Sequence, residues 1–158
     1  MPGPSRGKSL LNPDYRDMLS AFTEESVKYL LVGAYALAVH GHVRATGDID
    51  FWVESSRDNA TRVMAALARF GAPLQEIEAR DFETPGIVFQ IGVAPRRIDI
   101  LTTIDAVDFE AAWSEREEVE VAGSRVQVIS RRHLLRNKRA TDRPKDRADA
   151  IWLEGEDG

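Results

Sequence analysis

The chain of 158 residues has no cysteine. That excludes disulfides, thiol nucleophiles and cysteine-ligated zinc, and it accords with a cytoplasmic protein. It also lacks an apolar run near the roughly 18–20 residues that cross a bilayer, so no membrane association is expected. The opening MPGPSRGKSL is rich in proline and glycine and lacks the apolar centre of a signal peptide, so residues 1–12 are expected to form a flexible tail. Positive charge is not in excess. The net charge of -5 argues against generic DNA binding. There is no internal repeat and no linker of domain scale. What remains, 43% apolar and 30% charged residues, is the composition of a soluble globular protein, with a single domain expected over residues 13–154.

The patterning predicts a mixed α/β (α+β) fold. Asn12-Pro13-Asp14 is a helix start, and Tyr15, Met18, Leu19 and Phe22 continue it at helical spacing to about Ser26. KYLLVG reads as a short buried strand ended by Gly33, AYALAVHG as a helix closing on Gly41, and DIDFWVE as a second strand. SSRDNATRVMAALARFG reads as a helix with Val63, Met64, Leu67 and Phe70 on one face and Gly71 as its stop. GIVFQIGV and RRIDILTTI form a near-hairpin, FEAAWSERE a short helix, and EVEVAGSRVQVIS a clear hairpin. Ser130 caps a helix to about Arg139, and DRPKDRADAIWLE forms the last, with Pro144 in its first turn.

The chemistry centres on aspartates. Chance placement of thirteen aspartates in this length gives about one Asp-x-Asp pair, so the pair Asp48 and Asp50 carries weight only through its context. On a strand the two share a face, with Ile49 and Phe51 on the other. Unpaired, such carboxylates repel and one pKa rises; a magnesium ion, which prefers carboxylate oxygens, water and phosphate, removes the conflict. Asp99 lies inside the apolar strand RRIDILTTI, where an aspartate is costly unless paired or ligating. Beside the first strand it completes a three-carboxylate cluster suited to phosphoryl or nucleotidyl transfer. The alternative makes Asp48 a turn cap and pairs Asp50 with Arg44 and Asp99 with Arg97. Gly33, between strand and helix, allows close approach of a ligand to the backbone, and the following helix start offers N–H groups to an anion. From Arg131 to Arg147 eight basic residues face only Asp142 and Asp146, a block that suits phosphate groups or an acidic partner, or else forms a solvated face.

These residues together resemble the nucleotidyltransferase superfamily, which includes DNA polymerase beta and the aminoglycoside nucleotidyltransferases. The resemblance rests on Gly33-Ala34, on Asp48-Ile49-Asp50 and on Asp99 in RIDIL. The run VGAYALAVHGHVRATGDIDFWV and the later NKRATDRPKDRADA look most like the minimal-nucleotidyltransferase and abortive-infection antitoxin-like branch, and the likeness extends from about Leu30 to Leu153. It implies a mixed sheet covered by helices, Mg2+ (or Mn2+) on Asp48, Asp50 and Asp99, and an NTP substrate with its phosphates near Gly33 and Ala34. A hydroxyl of a protein or small molecule would take the NMP group. Arg44 and Thr46, just before the first aspartate, and Lys138, Arg143 and Lys145 would contribute contacts to the nucleotide. Where the family has Gly-Gly or Gly-Ser, this chain has Gly33-Ala34, which keeps the amide and lacks the hydroxyl.

Three functions follow: a magnesium-dependent nucleotidyltransferase, an antitoxin-like subunit of a toxin–antitoxin pair with a toxin as protein partner, and a non-catalytic nucleotide-binding protein. The three intact aspartates favour the first and Gly33-Ala34 the third. Among the other residues, His40 and His42 are read as structural, Trp52 as packing from the carboxylate side of its strand, Trp113 and Trp152 as core, and Asp146 and Asp149 as partners of the basic residues around them.

Overall fold

A computed structural model describes residues 11–43, 47–93, 95–121 and 123–157. Helix α1, Pro13–Glu24, starts where the Asn12 side chain accepts the Tyr15 N–H at 2.9 Å, and it buries Tyr15, Met18, Leu19, Ala21 and Phe22. It ends two residues before the expected Ser26, which adopts φ 57 and turns the chain into β1, Tyr29–Val32. Helix α2, Gly33–Val39, follows without a linker and closes on His40, and β2 runs from Ile49 to Val53. Helix α3, Arg57–Phe70, is stopped by Gly71 at φ 93, as its sequence pattern predicts, and it is capped by Ser56. Val63 and Leu67 face the core with Ala60 and Ala66, while Met64 and Phe70 lie half-buried at its margin.

A short 3-10 helix, Ala79–Glu83, has no strong periodic signal and places Phe82 in the core. Strands β3, Val88–Ile91, and β4, Ile98–Leu101, pair antiparallel, as the near-hairpin reading expects. Helix α4, Phe109–Ser114, leads to the hairpin of β5, Glu117–Val121, and β6, Ser124–Val128. Helix α5, Arg131–Thr141, is capped by Ser130 and ends at Asp142 in the left-handed region, φ 51; α6, Pro144–Asp157, packs beside it.

The six strands form one mixed sheet in the order β3-β4-β2-β1-β6-β5. β1 is antiparallel to β2 and parallel to β6, and β2 is parallel to β4. One hydrophobic cluster holds the sheet against its helices, with Phe22, Tyr29 and Phe51 in mutual ring contact at centroid distances of 5.1 to 5.6 Å. Trp52 is buried on the opposite face of the sheet from Phe51 and meets Phe109 edge-on. Two tryptophans depart from the expected core position. Trp113 is half-buried, stacked on Phe109 and covered by the Arg116 guanidinium at 3.8 Å. Trp152 stacks on His42 at 4.5 Å, with Arg131 over its ring at 4.9 Å. Each ring presents one face to a guanidinium, a cation–π contact that covers the aromatic surface left outside the core. Among the described residues no helix is long and apolar enough to cross a membrane.

Candidate active site

Sheet register builds the site. In the parallel pair β2 and β4, Asp50 lies directly opposite Asp99; in the antiparallel pair β1 and β2, Val32 lies opposite Asp50. The two carboxylates are therefore neighbours at the centre of the sheet, with the β1–α2 junction beside them. Asp48 precedes β2 by one residue and sits on the same face as Asp50.

Gly33 serves this cluster in a way the sequence reading did not anticipate. Its φ is +72, and a Cβ on it would collide with Oδ2 of Asp50. The missing side chain makes room for the carboxylate as well as for the left-handed backbone. Gly47, in front of Asp48, is similarly constrained, since a Cβ there would strike the Pro95 carbonyl. The Tyr15 hydroxyl, reaching up from α1, donates to the Gly47 carbonyl and lies 3.3 Å from the Arg97 carbonyl. It ties together the two segments that lead into β2 and β4. Burial pushes the Tyr15 phenol up to about 12, so it remains a donor at any physiological pH.

A cavity of about 690 Å³ opens over the carboxylates. Its wall contains every expected site residue that falls within the described chain: Gly33, Ala34, Asp48, Asp50, Asp99, Lys138, Arg143 and Lys145. Arg44 and Thr46 lie outside the described residues. The far wall, formed by Thr103, Ile104 and Asp105 after β4 and by Asn137 and Thr141 of α5, had no motif to announce it. It is stitched together where Asn137 donates to the Asp105 carbonyl at 3.0 Å.

The basic residues are less free than their density in the sequence suggests. Lys138 is buried, with its Nζ 3.4 Å from Asp146 and 3.3 Å from Asp149, both fully buried carboxylates. Burial opposes ionisation of Asp146. Hydrogen bonds from Arg143 and Thr141 and the Lys138 charge overcome it and hold the carboxyl well below its usual range. Arg143 donates its Nε to Asp146 at 2.7 Å while keeping much of its side chain exposed. Lys145 is exposed at the rim. The pairing expected for Asp146 and Asp149 is thus present, and it fixes α6 against α5 at the cavity wall. His40 bonds the Ile129 carbonyl through Nε2 at 2.8 Å and His42 stacks on Trp152; neither lines the cavity.

Arg97 makes the pair with Asp99 that the alternative reading expected, and it also reaches Asp48, which the sequence reading did not anticipate. Two residues before Asp99, it lies on the same strand face. Its Nε is 2.8 Å from Asp99 Oδ1, and its Nη2 is 3.2 Å from Asp99 Oδ2 and 2.9 Å from Asp48 Oδ2. One guanidinium thus bridges the first and third carboxylates. Asp50 is left with less compensation. Burial, then a hydrogen bond shared with Asp99, then the charges of Asp99 and Asp48 push its carboxyl up to about 7, against a smaller opposing effect of Lys138.

Among the described residues no three His, Cys, Asp or Glu side chains already converge as a metal cage. The donor set nevertheless suits a hard divalent cation. It consists of carboxylate oxygens on one wall, crowded enough that burial and its neighbours disfavour the charge on Asp50, beside an open cavity in which water and phosphate oxygens would complete the coordination.

No family model and no curated protein sequence matches the chain. Solved structures do. The chain is similar to the lincosamide antibiotic adenylyltransferase LnuA in its lincomycin-bound form, with a TM-score of 0.58 at 16% identity over 91% of this chain and 96% of that one. It is similar to a putative nucleotidyltransferase from Thermotoga maritima, with a TM-score of 0.58 at 14% identity over 92% and 93%. For the solution structure of the antibiotic-resistance factor ANT(2'')-Ia the TM-score is 0.61 at 15% identity, over 92% and 83%. The fold is that of the nucleotidyltransferases. Within it, the six-stranded mixed sheet carries Asp50 and Asp99 on adjacent strands beside Gly33.

Proposed function

We propose that the protein is a magnesium-dependent nucleotidyltransferase that moves an NMP group from an NTP to a hydroxyl of a small-molecule or protein acceptor. The observation that carries this reading is the register-matched pair Asp50 and Asp99, with Asp48 alongside, on the wall of a cavity large enough for a nucleotide. The likeness to proteins whose own names describe adenylyl transfer supports it. One of these, ANT(2'')-Ia, is similar at 17% identity in a complex with adenylyl-2''-tobramycin. ATP is therefore the first nucleotide to test.

Asp48, Asp50 and Asp99 would hold the metal, which when bound supplies Lewis-acid stabilisation of charge on the phosphates. The chain's own groups do the rest. Gly33 and Ala34 border the cavity where the phosphates would lie, and Ala34, lacking a hydroxyl, contributes only backbone and a methyl. Arg143 and Lys145 supply positive charge at the rim, with Arg143 oriented by Asp146. The acceptor oxygen forms a bond to the α-phosphorus as the bond to pyrophosphate breaks, and the acceptor's proton passes to the Asp99 carboxylate.

Incubation with α-labelled NTP, magnesium and extracts of the source cells tests the reading. Label is expected to move to a new species with the native protein and not with Asp99→Asn. Equal transfer by the variant refutes the roles assigned here.

A further inference from the structure

The bridge made by Arg97 goes beyond the assignment of three carboxylates to a metal. We infer that Arg97 is a resident counter-cation of the cluster, occupying the cation's place until a metal–triphosphate arrives, so that metal binding depends on the phosphate chain. This rests on the nucleotidyltransferase reading and concerns the regulation of the same site.

The geometry carries the inference. Arg97 engages Asp99 through both Nε and Nη2 and reaches Asp48 with the same Nη2, and its own backbone N–H lies 3.4 Å from Asp48 Oδ1. These are two of the three carboxylates a divalent cation would use. A guanidinium and a metal compete for these oxygens, because both are cationic and both draw on the lone pairs that face the cavity. Arg97 is half-buried and lines the cavity, so its side chain has open space into which it can turn. Leaving Asp48 and Asp99 strips it of its anionic partners. A triphosphate in the cavity provides new ones, whose oxygens can accept from the guanidinium in bidentate pairs. Bare metal offers no such replacement. The swap is therefore favourable with metal and triphosphate together and unfavourable with metal alone, which is a coupling free energy between the two ligands. Before either arrives, the bridge holds Asp48 and Asp99 at the cavity wall and offsets their repulsion.

The test uses the full chain and Mn2+ as probe, read by electron paramagnetic resonance and by thermal shift, for the native protein, Arg97→Gln and Arg97→Lys. Native protein is expected to bind Mn2+ alone weakly and to be stabilised by preformed Mn2+–tripolyphosphate. Arg97→Gln is expected to bind Mn2+ alone about tenfold more tightly, which corresponds to about 1.4 kcal/mol. It should also lose most of the advantage of the tripolyphosphate complex. Arg97→Lys keeps the charge without the fork and should fall between the two. A purely structural role for Arg97 would not raise metal affinity in either variant. If native protein responds to Mn2+–tripolyphosphate but neither variant binds Mn2+ more tightly, the counter-cation role is overturned and the metal site stands. If no form responds to Mn2+ with or without tripolyphosphate, both fall.

Discussion

Replacing Asp50 with asparagine should make the metal-free protein more stable at alkaline pH while removing its response to magnesium and nucleotide. The carboxyl of Asp50 is pushed up to about 7 by burial and by the neighbouring Asp99 and Asp48. In the unfolded chain it titrates near 3.8. The folded state therefore keeps a proton that the unfolded state releases. The resulting stability is fully present below about pH 4 and is lost as pH rises towards 7. At about 1.4 kcal/mol per unit, ionising Asp50 in the folded protein costs at most about 4 kcal/mol at pH 8. An asparagine of the same shape removes that cost but brings its own buried amide, so a net gain of about 2 kcal/mol is expected, or roughly 4–8 °C for a chain of this size. Thermal melts of both proteins between pH 5 and 8 without divalent ions give the answer. The native midpoint should fall across this range more steeply than that of Asp50→Asn, and the two should cross below neutrality. A variant that melts at or below the native protein at pH 8, with an unchanged slope, would refute the account of Asp50 as a carboxylate held against its charge.

The remaining predictions concern the frame around the cluster. Gly33→Ala drives a Cβ into Asp50 Oδ2 at a positive φ, so it should cost about 1–3 kcal/mol in a denaturant titration and disturb metal binding with it. Tyr15→Phe removes the hydroxyl that donates to Gly47 and should lower stability by about 1–2 kcal/mol, measured the same way, while the core around the ring stays intact. Lys138→Met leaves Asp146 and Asp149 buried beside an apolar tip. Asp146 keeps its bonds from Arg143, but the shared buried cation is gone, so a loss of about 3–5 kcal/mol is expected, largest near neutral pH and smaller in acid, where protonation of the two carboxyls removes the need for it.

Much of this was legible in the sequence because the signals were local. Gly71 stops α3, Ser130 begins α5, and the alternating valines define the β5–β6 hairpin, each a short-range rule of capping or alternation. Asp48, Asp50 and Asp99 could be singled out because carboxylates in apolar strands demand an explanation. The rest depended on distance in sequence. The 3-10 turn holding Phe82 is fixed by its contact with α3, which no local periodicity reports. The reason for Gly33 lies across the sheet in Asp50, and the far wall of the cavity comes from the docking of α5 near the end of β4. Lys138 reads as one cation in a basic block, yet two carboxylates of the next helix enclose it. Arg97 was visible as a neighbour of Asp99, but its reach to Asp48 required the parallel pairing of β2 and β4.

The central claim is that the three carboxylates hold a metal together with a nucleoside triphosphate. It is tested most directly by the thermal shift produced by ATP, GTP, CTP and UTP, each with and without magnesium, in the native protein and in Asp99→Asn. The account predicts stabilisation by at least one NTP that requires magnesium and disappears in the variant. No stabilisation of the native protein by any of the four, or a shift that survives unchanged in Asp99→Asn, would contradict it.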